Sequence, residues 1–105
     1  MKTKAQVKEE LRQLKYYFLR KDAFAYSTEH IIKNQIVDLA EQYNELVVDA
    51  PADLYDAYIM LYTSGYSQME MAEEIEASPE YVSRLNTRLI TFLTKKFNAL
   101  DEKNE

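Results

Sequence analysis

Two arginines one helical turn apart, Arg84 and Arg88, are the side chains of this chain best suited to specific recognition. A guanidinium carries a fixed fork of N–H donors that matches the paired acceptors of a guanine edge or the oxygens of a phosphate. On one helix face, Arg84 would meet a guanine edge and Arg88 a phosphate or a neighbouring base. The alternative interpretation is an ordinary helix surface on which both arginines pair with Glu80 and solvent.

The sequence around the arginines carries the start and stop signals of three helices over residues 54–100. Ser67 and Glu70 have the spacing of a capping box, and Gly65 before them suits a left-handed helix end. Ser78-Pro79 provides an N-cap followed by a proline at the first helical position. The apolar residues expected to face inward are Leu54, Ala57, Tyr58, Leu61, Tyr62, Met71, Ala72, Ile75, Val82, Leu85, Leu89, Phe92 and Leu93.

These signals predict a helix-turn-helix. Ala72 is small enough to let two crossed helices touch, and the last helix is expected over residues 79–97, in the position of a major-groove helix. Ser67 and Gln68 open the helix that would cross the nucleic-acid backbone. Their amides and side chains are suited to holding a phosphate, although simple capping explains Ser67 equally well.

The first half of the chain has two helical stripes of apolar residues. Asp22 to Ser27 interrupts the pattern, Ser27 or Thr28 is expected to cap the second helix, and Pro51 ends it. The fold class expected is therefore all-α, with a helical hairpin or oligomerisation segment over 1–50 and a trihelical helix-turn-helix domain over 51–105. The stripes are Val7, Leu11, Leu14 and Phe18, then Ile32, Ile36, Leu39, Tyr43 and Leu46.

The last predicted helix carries more apolar residues than the core of a three-helix domain can bury. Ile90, Phe97 and Leu100 widen its apolar surface, so they are expected to cover either the N-terminal hairpin or another subunit.

Composition argues against several other classes. The chain has one glycine and two prolines and is 47% hydrophobic, as expected of a helical globular protein. It has no cysteine, and its one histidine, His30, has no cluster of metal ligands around it. Adjacent acids such as Glu73 and Glu74 diverge on a helix and do not form a catalytic pair. We therefore expect no enzyme, cofactor or metal. We also expect no signal or membrane segment and a cytoplasmic location.

Charge is unevenly distributed in a chain whose net charge is −5. Residues 67–77 hold four glutamates and no basic residue, whereas residues 79–97 hold four basic residues and one acid. Residues 1–21 hold seven basic residues and two acids, which suit either the flanks of a DNA site, RNA or an ordinary solvated helix face. The negative total predicts weak non-specific DNA binding that salt readily abolishes.

The C-terminal half resembles a known family. Its motif is Tyr62-Thr-Ser-Gly-Tyr-Ser-Gln-Met-Glu-Met-Ala-Glu-Glu-Ile followed by Ser78-Pro-Glu-Tyr-Val-Ser-Arg-Leu. Between about Asp53 and Lys96 the chain resembles region 4 of bacterial sigma factors. Its overall plan is similar to the small phage-encoded, sigma-region-4-like regulators of the ArpU type.

This resemblance implies that the helix over 79–97 enters the major groove of DNA. The turn position usually filled by glycine in the family holds Glu76 here, which costs about 1 kcal/mol if the backbone is left-handed. The expected DNA contacts, from the resemblance and from the helix starts, are Ser67, Gln68, Ser78, Glu80, Tyr81, Ser83, Arg84, Thr87 and Arg88.

The function expected is sequence-specific binding of double-stranded DNA in phage or prophage transcriptional control. A homodimer is expected, because one short recognition helix buries too little surface for tight specificity. One alternative is a DNA-packaging protein like a phage small terminase subunit. A second is an adaptor or inhibitor that binds RNA polymerase, or another DNA-binding protein, through the acidic face Glu70–Glu76.

Overall fold

The computed structural model describes residues 1–24 and 30–103, apart from the side chains of 21–24, 30–34 and 103. All the secondary structure within these ranges is helical and no strand occurs there, which confirms the all-α prediction. The elements in chain order are α1 (Lys4–Phe24), α2 (His30–Val47), α3 (Ala52–Tyr58), a π-helical turn (Ile59–Thr63), α4 (Gln68–Glu74) and α5 (Pro79–Lys103).

Helix α1 starts with a capping box that sequence analysis did not identify. The Thr3 hydroxyl accepts from the Gln6 backbone N–H at 3.1 Å, and the Gln6 side chain accepts from the Thr3 N–H at 2.8 Å. The predicted apolar stripe is confirmed, because Val7, Leu11 and Leu14 are fully buried and Phe18 packs against the core.

The predicted connection over Asp22 to Ser27 is wrong for its first three residues, because α1 continues to Phe24, and residues 25–27 lie outside the described residues. The irregularity lies earlier, at Arg20, whose backbone leaves the helical region at φ −124° and ψ 17°. The caps expected at Ser27 or Thr28 lie outside the described residues.

Helix α2 contributes the second predicted stripe. Tyr43 and Leu46 are buried, and Ile36 and Leu39 pack against the core, whereas the side chain of Ile32 lies outside the described residues. The helix ends at Val47, and Pro51 then caps α3 by accepting backbone hydrogen bonds from the N–H groups of residues 54 and 55.

One hydrophobic core joins both halves of the chain. Helix α1 makes more of its contacts with the π-helical turn and α5 than with α2. The surplus apolar surface of α5 covers the N-terminal half: Ile90 and Phe97 are buried, and the Phe97 ring meets the Tyr43 ring edge-on, with centroids 5.0 Å apart. Leu100 keeps 44% of its surface exposed. The helices of the two halves therefore support each other.

Buried tyrosines are anchored by polar partners. The Tyr43 hydroxyl donates to a Glu10 carboxylate oxygen at 2.8 Å, and the same oxygen accepts from the Lys2 ammonium at 2.6 Å. The Tyr58 hydroxyl donates to Asn44 Oδ1 at 2.7 Å, and the Tyr62 hydroxyl to Asn86 Oδ1. Burial raises the pKa of all three tyrosines, to about 12 for Tyr58 and Tyr62.

We expect the protein to lose stability as the pH rises from 10 to 12. In this range the unfolded chain ionises its tyrosines at their ordinary pKa near 10, whereas the folded chain keeps Tyr58 neutral until about pH 12. The contribution of Tyr58 to the loss at pH 11 is about 1 kcal/mol. Urea unfolding of the wild type and of Tyr58→Phe at pH 8 and pH 11 measures it. An equal loss in both proteins would contradict the prediction.

Candidate nucleic-acid interface

Helix α4 opens with the predicted capping box. The Ser67 hydroxyl accepts from the Glu70 N–H at 3.0 Å, and the Glu70 carboxylate accepts from the Ser67 N–H at 3.0 Å. The hydrogen bond from the Ser67 backbone is the main reason why the pKa of Glu70 is lowered, so Glu70 is ionised at neutral pH. Ser67 therefore caps the helix, and both Ser67 and Gln68 are exposed.

The inner face of α4 is shorter than predicted. Met71 and Ala72 are buried against α5 and the core, but Ile75 keeps 38% of its surface exposed. The prediction that Ile75 faces inward is wrong because the chain leaves the helix at this residue, with φ −95° and ψ 7°.

The turn between α4 and α5 is closed by backbone hydrogen bonds. The Ala77 N–H donates to the Ala72 carbonyl at 2.8 Å, and the Glu76 N–H to the Glu73 carbonyl at 3.2 Å. This pattern is a Schellman motif, which places Glu76 in the left-handed position usually taken by glycine. Its φ of 56° lies in the left-handed region, so the steric cost of a non-glycine residue applies here.

Helix α5 begins as predicted and is longer than predicted. The Ser78 hydroxyl accepts from the Tyr81 N–H at 3.1 Å, Pro79 is the first helical residue, and the helix continues past residue 97 to Lys103. One side of α5 is buried through Val82, Leu85, Leu89 and Leu93, with Phe92 half-buried. The nine expected DNA contacts are all exposed: Ser67, Gln68, Ser78, Glu80, Tyr81, Ser83, Arg84, Thr87 and Arg88.

The two arginines lie in different surroundings. The Arg88 guanidinium pairs with the carboxylate of Asp53 on α3 at 3.0 Å, and neither arginine forms an ion pair with Glu80. Arg84 is exposed and makes no hydrogen bond or ion pair with other described residues. Sequence analysis missed Asp53, because only the packing of α3 on α5 brings these two side chains together across 35 positions.

The hydroxyl proton of Thr87, another candidate, is already used in a hydrogen bond. Thr87 donates its hydroxyl to the Ser83 carbonyl one turn earlier, at 3.1 Å. Only its remaining lone pairs and its methyl group are available to a ligand.

Acidic side chains dominate the surroundings of α4. Glu73, Glu74, Glu76 and Glu80 are exposed, and none forms an ion pair within residues 1–24 and 30–103. A basic group near the start of α4 belongs to Lys15 of α1, whose ammonium donates to the Tyr66 carbonyl at 3.4 Å and helps to lower the pKa of Glu70. A polyanion would therefore approach α5 more readily than α4.

The described part of the chain has neither a cluster of metal ligands nor a membrane-spanning helix. It contains no group of three or more histidine, cysteine, aspartate or glutamate side chains placed to hold a metal ion. None of its helices has both the length and the apolar character needed to span a bilayer.

We expect Glu76→Gly to stabilise the protein by about 1 kcal/mol, because glycine adopts the left-handed backbone without a steric penalty. Thermal or urea unfolding measures the gain. Glu76→Ala is the matched control, since alanine removes the charge and keeps the Cβ atom. An equal gain from both variants would show that charge repulsion, and not backbone conformation, is the cost at this position.

Comparisons with protein-family models, with curated proteins and with solved structures give no significant match. The functional assignment of this chain therefore depends on its own residues and geometry.

Proposed function

We propose that this protein binds double-stranded DNA in a sequence-specific manner, as a transcriptional regulator of phage or prophage type. In this proposal α4, the turn over 75–78 and α5 form a helix-turn-helix, and α5 lies in the major groove. The observation that carries the proposal is the exposed position of Arg84. Its side chain is an exposed guanidinium without a competing partner among the described residues, on a helix whose other side is fixed in the core.

Rigid support is what makes this arginine suited to reading a base. Val82 and Leu85 flank Arg84 in sequence and are buried, so the backbone that carries the guanidinium is held by the core. A bidentate contact with guanine requires such positioning, because it depends on two parallel hydrogen bonds. Arg84 would therefore read a guanine, while the hydroxyl of the adjacent Ser83 contacts a phosphate or a base edge.

The acidic surroundings set the strength of this interaction. The exposed glutamates of α4 repel phosphates, so only a few basic contacts remain to displace counterions from DNA. One copy would bind weakly, and two copies on neighbouring half-sites would supply the missing contact area. We therefore propose that the active form on DNA contains at least two copies.

We expect Arg84→Ala to weaken binding to the preferred site by about 1–3 kcal/mol and to relax selectivity at one base pair. Selection from a pool of random duplexes, followed by titration of the enriched site, measures both effects. Lys95→Ala is the matched control, because it removes an exposed basic residue from the same helix outside the expected contacts. No enrichment of any sequence by the wild type, even at about 0.01 M ionic strength, would refute sequence-specific binding.

We expect Asp53→Asn to strengthen DNA binding several-fold, roughly the effect of adding one phosphate contact. The substitution removes a negative charge and releases Arg88 from its exposed ion pair, which itself contributes little to stability. The same titration measures the gain at two salt concentrations. The double variant Asp53→Asn, Arg88→Ala is the control, and it should lose most of the gain in DNA affinity. A gain that persists without Arg88 would show that the aspartate acted only by repelling phosphates.

A further inference from the structure

Two exposed surfaces of opposite charge lie at opposite ends of α5. The acidic face consists of Glu73, Glu74 and Glu76, at the end of α4 and in the turn before α5. The basic face consists of Lys4 and Lys8, on the first two turns of α1. All five side chains are exposed, and none forms a hydrogen bond or ion pair with another described residue.

The acidic face is electrostatically unfavourable as it stands. Glu74 lies one helical turn after ionised Glu70, so two like charges adjoin each other on α4, and Glu76 adds a third exposed carboxylate in the turn that follows. Met69, which is 65% exposed, lies one turn before Glu73 and adds an apolar group. A cationic surface placed here would relieve the repulsion between the carboxylates.

The basic face is held at the far end of α5 by contacts of the N-terminal residues. The Lys2 backbone N–H donates to Asn98 Oδ1 at 3.1 Å, and the Met1 amino group pairs with Asp101 at 3.3 Å. Leu100, which is 44% exposed, adds an apolar group at this end. Lys4 and Lys8 thus place two unpaired ammonium groups near the C-terminal end of α5, which itself carries the exposed acids Asp101 and Glu102.

The length of α5 keeps these faces apart within one chain. Its 25 residues span about 37 Å, with α4 joined to one end and the start of α1 packed at the other. We propose that the acidic face of one copy binds the basic face of a second copy, so that the protein associates head to tail. The charges and the apolar groups beside them match in this arrangement.

A head-to-tail contact differs in symmetry from the two-fold dimer expected from sequence analysis. Each copy offers one free acidic and one free basic face, so the association continues into a ring or a filament. Copies aligned in this way face the same direction, which suits directly repeated DNA sites and not inverted ones. The contact itself does not depend on DNA binding.

Charge reversal of each face, in the full-length chain, tests the contact. One variant carries Glu73→Lys and Glu74→Lys, and the other carries Lys4→Glu and Lys8→Glu. Sedimentation velocity without DNA compares them with the wild type at about 0.01 M ionic strength, where charges act over about 30 Å, and at about 1 M, where they act over about 3 Å. Circular dichroism and thermal unfolding verify the fold of each variant. Glu41→Lys and Lys95→Glu are matched reversals of exposed residues outside both faces.

The expected result is association of the wild type at low salt only. Each face variant should raise the dissociation constant about tenfold or more, the two control variants should not, and an equimolar mixture of the two face variants should associate again. Restored association is the decisive signature, because an acidic α1 and a basic α4 can meet only between different variants.

Three results would overturn the proposal. The first is a wild type that stays monomeric at low salt, and the second is self-association that survives either face reversal. The third is a mixture of folded variants that fails to associate, which would mean that the two faces do not bind each other. Loss of DNA binding by Arg84→Ala is independent of all three, so the two proposals fail separately.

Discussion

Packing of the apolar side of α5 is the constraint on which the other elements depend. This helix contacts α1, α2, α3 and α4, and its residues Val82, Leu89 and Leu93 lie at the centre of the shared core. Burial of one side fixes which residues remain on the other, so the exposed position of Arg84 is a consequence of core packing. The same packing carries Asp53 of α3 to Arg88 and thereby distinguishes the two arginines.

Backbone hydrogen bonds determine how α4 meets this helix. The capping box of Ser67 and the Schellman motif at Glu76 satisfy backbone groups at both ends of a helix only seven residues long. Such a short helix has little intrinsic stability, so its caps and the burial of Met71 and Ala72 hold it in place. The left-handed backbone of Glu76 is strained, and this strain occurs where the turn between α4 and α5 must be tight.

The surface has regions of different charge, which could bind different kinds of ligand. Lys2 is engaged by Glu10 and the Phe97 ring, and Lys96 is near Asp49, so these basic residues are neutralised locally. The unpaired charges that remain among the described residues include Glu73, Glu74 and Glu76, Lys4 and Lys8 on the first turns of α1, and Arg84. A small acidic protein can therefore present a local site for an anion and a separate surface for a cation, since screening in water limits each to its own neighbourhood.

The sequence by itself determined the features that depend on local chemistry. Apolar periodicity predicted the buried residues of α1, α2 and α5, and side-chain caps predicted the starts of α4 and α5, because both signals act within one or two turns. The sequence-based predictions that Ile75 faces inward and that the first helix breaks at Asp22 were wrong, because the end of a helix depends on the residues packed around it. Only the tertiary structure decided that Arg88 pairs with Asp53, that Phe97 meets Tyr43, and that the charged faces lie at opposite ends of α5. These relations join residues far apart in sequence, and only the packing of whole helices sets their distances.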